Sequence, residues 1–198
     1  MKSAVISVFV LLSCLCAAQD SSFVTVHVIY GSRPKAKGEG KWFGGKLGGH
    51  VGLEIAPNQV LHFNPGGKVK AFTGNSELGR FSLSETESFY CTFGCDTVKR
   101  MSVRIPVPAE GQRRIDSLSA SYISKAPYAY AFFGMRCAAA CYHFISIGKA
   151  YPEFSTGKMV RKFFYPRRLR KRLLRSAKKY GWEVTITEGT KRRKWDHD

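Results

Sequence analysis

The sequence has no hydrophobic run long enough to cross a membrane, few acidic residues and few cysteines, and each shortage excludes something. Its longest apolar stretch, Ala4 to Ala18 broken only by Ser7 and Ser13, is roughly 15 residues, whereas a spanning helix needs about 20. One lysine precedes that stretch and the small residues Cys16, Ala17 and Ala18 close it, so residues 1–18 read as a cleavable secretory signal. The expectation is a secreted or periplasmic protein. Leu11-Leu12-Ser13-Cys14 offers the alternative of a lipoprotein anchored at Cys14, disfavoured because Leu15 to Ala18 continue the apolar run. Internal repeats and linkers are also missing, so residues 19–198 are expected to form one domain. Hydrophobic and aromatic contents of 44% and 13% are globular rather than disordered.

Fourteen acidic residues stand against 32 Lys and Arg, for a net charge of +18. Residues 158–198 alone hold 15 Lys and Arg against 4 Asp and Glu. Such a field draws polyanions without choosing among them. For an exported chain the expected partner is an anionic surface or polymer: lipid headgroups, cell wall or acidic glycan. Sequence-specific nucleic-acid reading has no recognisable module.

Of six cysteines, Cys14 and Cys16 fall in the leader, leaving Cys91, Cys95, Cys137 and Cys141. These permit three full pairings, or fewer bridges and free thiols. Cys137 and Cys141 lie one helical turn apart with parallel side chains, a poor geometry for bonding to each other. If Cys91 pairs with Cys95, the other two stay free. Two Cys-x3-Cys pairs do not have the tighter spacing usual for zinc, and neither a metal nor a cofactor is implied.

Phe23 to Tyr30 is β-branched and aromatic enough for a buried strand. Pro34 to Gly49, with six glycines and four lysines, reads as a long loop. His50 to Ile55 and Val60 to Asn64 form a hairpin pattern. Lys68 to Phe72, Ser88 to Phe93 and Thr97 to Val107 are further strand candidates. Ala109 to Lys125 changes to helical period, and a second helix is expected just after Gly134. The last helix begins at Pro166, buries Leu169, Leu173, Ala177 and Tyr180 on one stripe, and is capped by Gly181. Trp182 to Thr187 is a closing strand, and Lys191 to Asp198 a charged terminus. The fold class is α+β, an antiparallel sheet with packed helices.

Two residues stand out chemically. His50 follows Gly48-Gly49 at the mouth of a strand, where glycines allow close backbone approach. Cys137 falls in the first turn of a helix, where unpaired N–H groups and the positive dipole end favour thiolate, and Arg136 adds charge. Sulfur at a helix start with a histidine from a neighbouring strand makes a cysteine nucleophile and its proton shuttle. The last helix presents Arg167, Arg168, Arg170, Lys171, Arg172 and Arg175 as the expected anionic-surface contacts.

The string Gly-Gly-His-Val-Gly-Leu-Glu-Ile at residues 48–55, a paired strand carrying His62, and a cysteine opening a later helix resemble the circularly permuted papain-like superfamily. That group includes NlpC-type peptidases and the lecithin:retinol acyltransferase family. The resemblance covers Phe23 to Ile147 and implies a permuted papain-like architecture with Cys137 as nucleophile, His50 as base and acid, and His62 as the orienting residue. It implies an exported thiol-dependent hydrolase or acyl/amide transferase; the rival is a non-catalytic cationic binding protein with disulfide-bonded cysteines. The acyltransferase branch reads Asn-Cys-Glu-His-Phe at its nucleophile, and Ala140-Cys-Tyr-His-Phe144 would nominate Cys141 instead. Helix position favours Cys137. For His62 to stand directly across from His50, a bulge is needed in the hairpin, and a one-residue slip would turn it to the other face. Glu54, about 13 Å along the strand from His50, is a poor substitute.

Overall fold

The computed structural model describes residues 21–35, 48–72 and 79–198. The expected leader and most of the glycine-rich loop lie outside them. The strands are β1 (Ser21–Tyr30), β2 (Ser32–Pro34), β3 (Gly49–Ala56), β4 (Gln59–Pro65), β5 (Gly79–Ser84), β6 (Arg100–Pro108), β7 (Val184–Thr187) and β8 (Arg193–Trp195). The helices are α1 (Thr86–Cys91), α2 (Ala109–Ser124), α3 (Cys137–Ile147), α4 (Thr156–Lys162) and α5 (Pro166–Tyr180). Six strands make one antiparallel sheet in the order β5-β4-β3-β1-β6-β7, and β2 pairs with β8 in a separate ribbon.

Strand alternation sorts the two faces. Val24, Val26 and Val28 of β1 lie level with Val51 and Leu53 of β3 and with Met101, Val103 and Ile105 of β6, all buried. Leu61 and Phe63 of β4 extend this apolar face. Helices α2, α3 and α5 cover it, with Phe144 and Tyr122 against Phe81. The opposite face carries Arg104 and Ser102 on β6, which are not buried, and closes only where α1 lies across β3 and β4.

Several expectations need correction. Ser88 to Phe93 is not a strand: Thr86–Cys91 is a helix. Its apolar residues suit either period, and the helix wins because Phe89 and Phe93 can then both reach the sheet face beneath. Lys68 to Phe72 contributes only an isolated bridge between Lys70 and Ala131. The stripe of α5 ends at Ala177; Tyr180 is exposed and leans on Trp182. Pro166 at the first turn and Gly181 in left-handed conformation do bound this helix.

The charged terminus is built into the fold. Arg170 of α5 is 0% exposed, stacked over the Tyr30 ring and hydrogen-bonded to Asp198 and, at 2.8 Å, to Asp196. The Tyr30 hydroxyl donates to Asp198 at 2.6 Å, and Arg167 faces Asp196 at 3.4 Å. Burying a guanidinium requires such pairing, and removing one partner strands the other's charge. Arg170→Ala is therefore expected to lower stability by about 3–5 kcal/mol. Urea denaturation checks this; a loss below about 1 kcal/mol, the range of a surface ion pair, would contradict the buried clasp.

Candidate functional site

The β3–β4 hairpin sets the geometry. Its turn at Pro57-Asn58 places Asn58 at φ 60, and a register shift between Glu54 and Ala56 absorbs the extra residue. As a result His62 stands opposite Gly52, two residues from His50 rather than directly across from it. A slip of two keeps both imidazoles on one face as diagonal neighbours. Their rings meet edge to face, with His50 Nε2 3.2 Å from His62 Nδ1. Glycine at position 52 is what admits α1: a Cβ there would stand 2.4 Å from Val60 Cγ1 and 3.0 Å from Phe89.

Asn64 donates its amide N–H to His62 Nδ1 at 3.0 Å, which makes that nitrogen an acceptor. In the tautomer where His50 Nε2 donates to the same nitrogen, the lone pair of a neutral His50 is on Nδ1, the ring nitrogen nearer its main chain. His62 Nε2 pairs with Ser84 Oγ at 3.0 Å. Burial, reinforced by the charge of His62, pushes His50 down to about 3; burial chiefly holds His62 down at about 4. Both rings are neutral at pH 7.

Cys137 opens α3, and Arg136 is the N-cap residue with no side-chain cap, so the first-turn N–H groups lack a capping acceptor. The sulfur receives hydrogen bonds from the Val51 N–H, the Ala138 N–H and the Tyr130 hydroxyl, with Arg136 adding positive charge. Burial outweighs these and raises the thiol above its ordinary value. The Val51 N–H belongs to the peptide joining it to His50. The sulfur approaches β3 from the α3 side, while the His50 ring projects to the α1 side, and no hydrogen bond joins them. Phe93 stacks on His50 at 4.9 Å and Phe89 lies at 5.7 Å. His50 is 5% and Cys137 3% exposed, a closed site with an uncharged thiol and imidazole.

Cys91 and Cys95 are disulfide-bonded across the end of α1, while Cys137 and Cys141 are free and buried. Cys141 is raised as well, by burial and then by Cys137, with nothing that lowers it. Glu54 turns away to His27 at 2.8 Å, and His27 reaches the Tyr90 hydroxyl at 2.6 Å. His143 stacks on Tyr122. Among the described residues no cluster of His, Cys, Asp and Glu could hold a metal.

The sequence did not point to Tyr130, Asn64 or Ser84 as partners. Asn64 and Ser84 lie on β4 and on its neighbour β5, and the alternation from His62 could have found Asn64. The basic residues expected to act together are split. Arg170 is buried and held by Asp196 and Asp198, so it cannot meet an outside anion; Arg167, partly exposed, faces Asp196 at 3.4 Å, and Arg168, Lys171, Arg172 and Arg175 have no carboxylate partner among the described residues. Comparison of the chain with known protein families, curated proteins and solved structures gives no match. No described helix is long and apolar enough to cross a membrane.

Two outcomes follow from this geometry. Ellman titration of the chain from residue 19, without reductant, is expected to find two thiols after unfolding, falling to one in Cys141→Ala; zero thiols on unfolding would contradict the pairing. The depressed histidines make stability pH-dependent: unfolded imidazoles bind protons near pH 6.5 but folded ones only near 3 to 4, so stability is full above about 6.5 and falls below it. Each histidine contributes a slope of up to about 1.4 kcal/mol per pH unit in that window. His50→Gln should remove about half of that slope, leaving the share of His62, and an unchanged slope would contradict the burial of a neutral ring.

Proposed function

We propose that this protein is a thiol-dependent hydrolase or acyl/amide transferase of permuted papain-like architecture, with Cys137 as nucleophile, His50 as general base and acid, and His62 as orienting residue. The observation that carries the reading is the convergence on one peptide unit: sulfur on the Val51 N–H, and the preceding residue's imidazole held by His62 with its lone pair on Nδ1. Cys137 is favoured over Cys141 because only its sulfur meets hydrogen-bond donors and a guanidinium.

In this reading His50 Nδ1 takes the Cys137 proton after the N-terminal end of β3 rearranges, because at rest the ring lies on the α1 face of the strand and the sulfur on the α3 face. The thiolate attacks a carbonyl carbon, and the resulting oxyanion is met by an N–H at the start of α3. Collapse expels the leaving group, protonated by His50, and leaves a thioester on Cys137. Water, or an acceptor amine or alcohol, then attacks with His50 again as base, regenerating the thiol. Tyr130 donates to the sulfur and supports its charged form, and the aromatic segment from Tyr128 to Phe133 flanks the approach. Export is part of the proposal, consistent with a disulfide at Cys91 and Cys95. The rival, a cationic protein with every mature cysteine oxidised, is disfavoured by the two free thiols.

The test is intact-mass detection of an acyl group after exposure to an activated ester such as 4-nitrophenyl acetate. Wild type is expected to accumulate one acyl group, Cys137→Ala none, and Cys141→Ala one as before. His50→Gln should acylate about 10²-fold or more slowly, the usual contribution of a general base. An acyl group on Cys137→Ala at the wild-type rate would remove the reading.

A further inference from the structure

Helices α4 and α5 meet at a concavity whose walls are cationic. It has a volume of roughly 250 Å³ and is bounded by Lys162, Arg168, Lys171, Arg172 and Arg175, with Phe163 as its apolar wall. None of the five cations makes an ion pair with a carboxylate among the described residues. That contrasts with Arg167 and Arg170 on the same helix, whose charges Asp196 and Asp198 balance.

The guanidiniums are held by groups that orient them without cancelling charge. Arg168 donates to the Arg161 carbonyl at 3.0 Å, and Arg175 to the Lys171 carbonyl at 3.2 Å. Arg172 lies over the Tyr151 ring at 5.3 Å, and its buried Nε has no acceptor. Five like charges around one hollow repel one another, and an anion seated there relieves that repulsion. A freely solvated basic face would leave its side chains unpinned and convex.

Shape and charge define the ligand. The hollow is smaller than the ~300–1,000 Å³ of drug-sized sites, so it takes a headgroup and not a length of polymer. Arginine forks match phosphate oxygens two at a time, and five cations call for more than one negative charge. The geometry points to a discrete oxyanion pocket between α4 and α5 that takes a compact, multiply charged phosphate group. This goes beyond the thiol chemistry and does not depend on it.

The experiment uses pyrophosphate as probe, followed by calorimetry at constant ionic strength. Wild type is expected to bind it, and Lys171→Glu/Arg175→Glu to weaken binding about tenfold or more, the effect of losing charge-assisted hydrogen bonds. Arg113→Glu/Lys125→Glu, an equal charge change on exposed residues of α2 and its C-cap, should leave affinity within about twofold if the effect is local, because exposed charges beyond a Debye length are screened. Equal losses in both variants, or no binding of pyrophosphate beyond matched chloride, would overturn the pocket. Thermal melts without ligand verify folding of each variant, and Lys171→Gln/Arg175→Gln replaces the reversal if it unfolds. A second arm offers phosphatidylcholine vesicles containing phosphatidylinositol bisphosphate or, at matched charge, phosphatidylserine. Preference for the bisphosphate assigns the source to a lipid headgroup; pyrophosphate binding without that preference assigns a soluble phosphate, and both support the pocket.

Discussion

The pairing of β3 with β4 constrains everything around the candidate site. Because one residue is absorbed between Glu54 and Ala56, His62 stands two positions from His50, and an even offset leaves both rings on the same face. An odd offset would bury one imidazole among the valines beneath α3 and leave the other without a partner. The same hairpin presents the Val51 N–H to the sulfur of Cys137 and, through Gly52, makes room for Phe89. Sulfur, imidazole pair and aromatic cover are thus placed by one register.

Burial decides the state in which the site rests. A sulfur and a ring shut from water both favour their uncharged forms, and the donors around Cys137 do not offset that cost. The disulfide at the end of α1 ties together the segment carrying Phe89 and Phe93, the rings that cover His50. In the proposed chemistry, opening of this aromatic cover and a rearrangement of the β3 end that carries His50 precede proton transfer. Solvation and the thiolate's donors then act in the same direction.

Much of the sheet was legible in the sequence because β1, β3, β4 and β6 carry apolar residues at period two, and α2, α3 and α5 carry them at helical period. Short elements were not. Phe89, Tyr90 and Phe93 suit a strand or a helix equally, and only the sheet face beneath them decides. No sequence period marked α4, and β8 is a run of charge whose pairing with β2 is non-local. Within the site, His50 was readable from the glycines before it and Cys137 from its place at a helix start, while His62 came from the family resemblance. The partners Asn64, Ser84 and Tyr130, like the carboxylates that claim Arg170, depend on which strands and termini meet in space.

The account stands on the His50 ring acting on the Cys137 sulfur. The most direct measurement is the rate at which iodoacetamide alkylates Cys137 at pH 7 in wild type and in His50→Gln, with the site of attachment read by peptide mapping. The account predicts that the substitution slows alkylation about tenfold or more, because the thiol loses its base. Equal rates in the two proteins would mean that ring and sulfur do not work together.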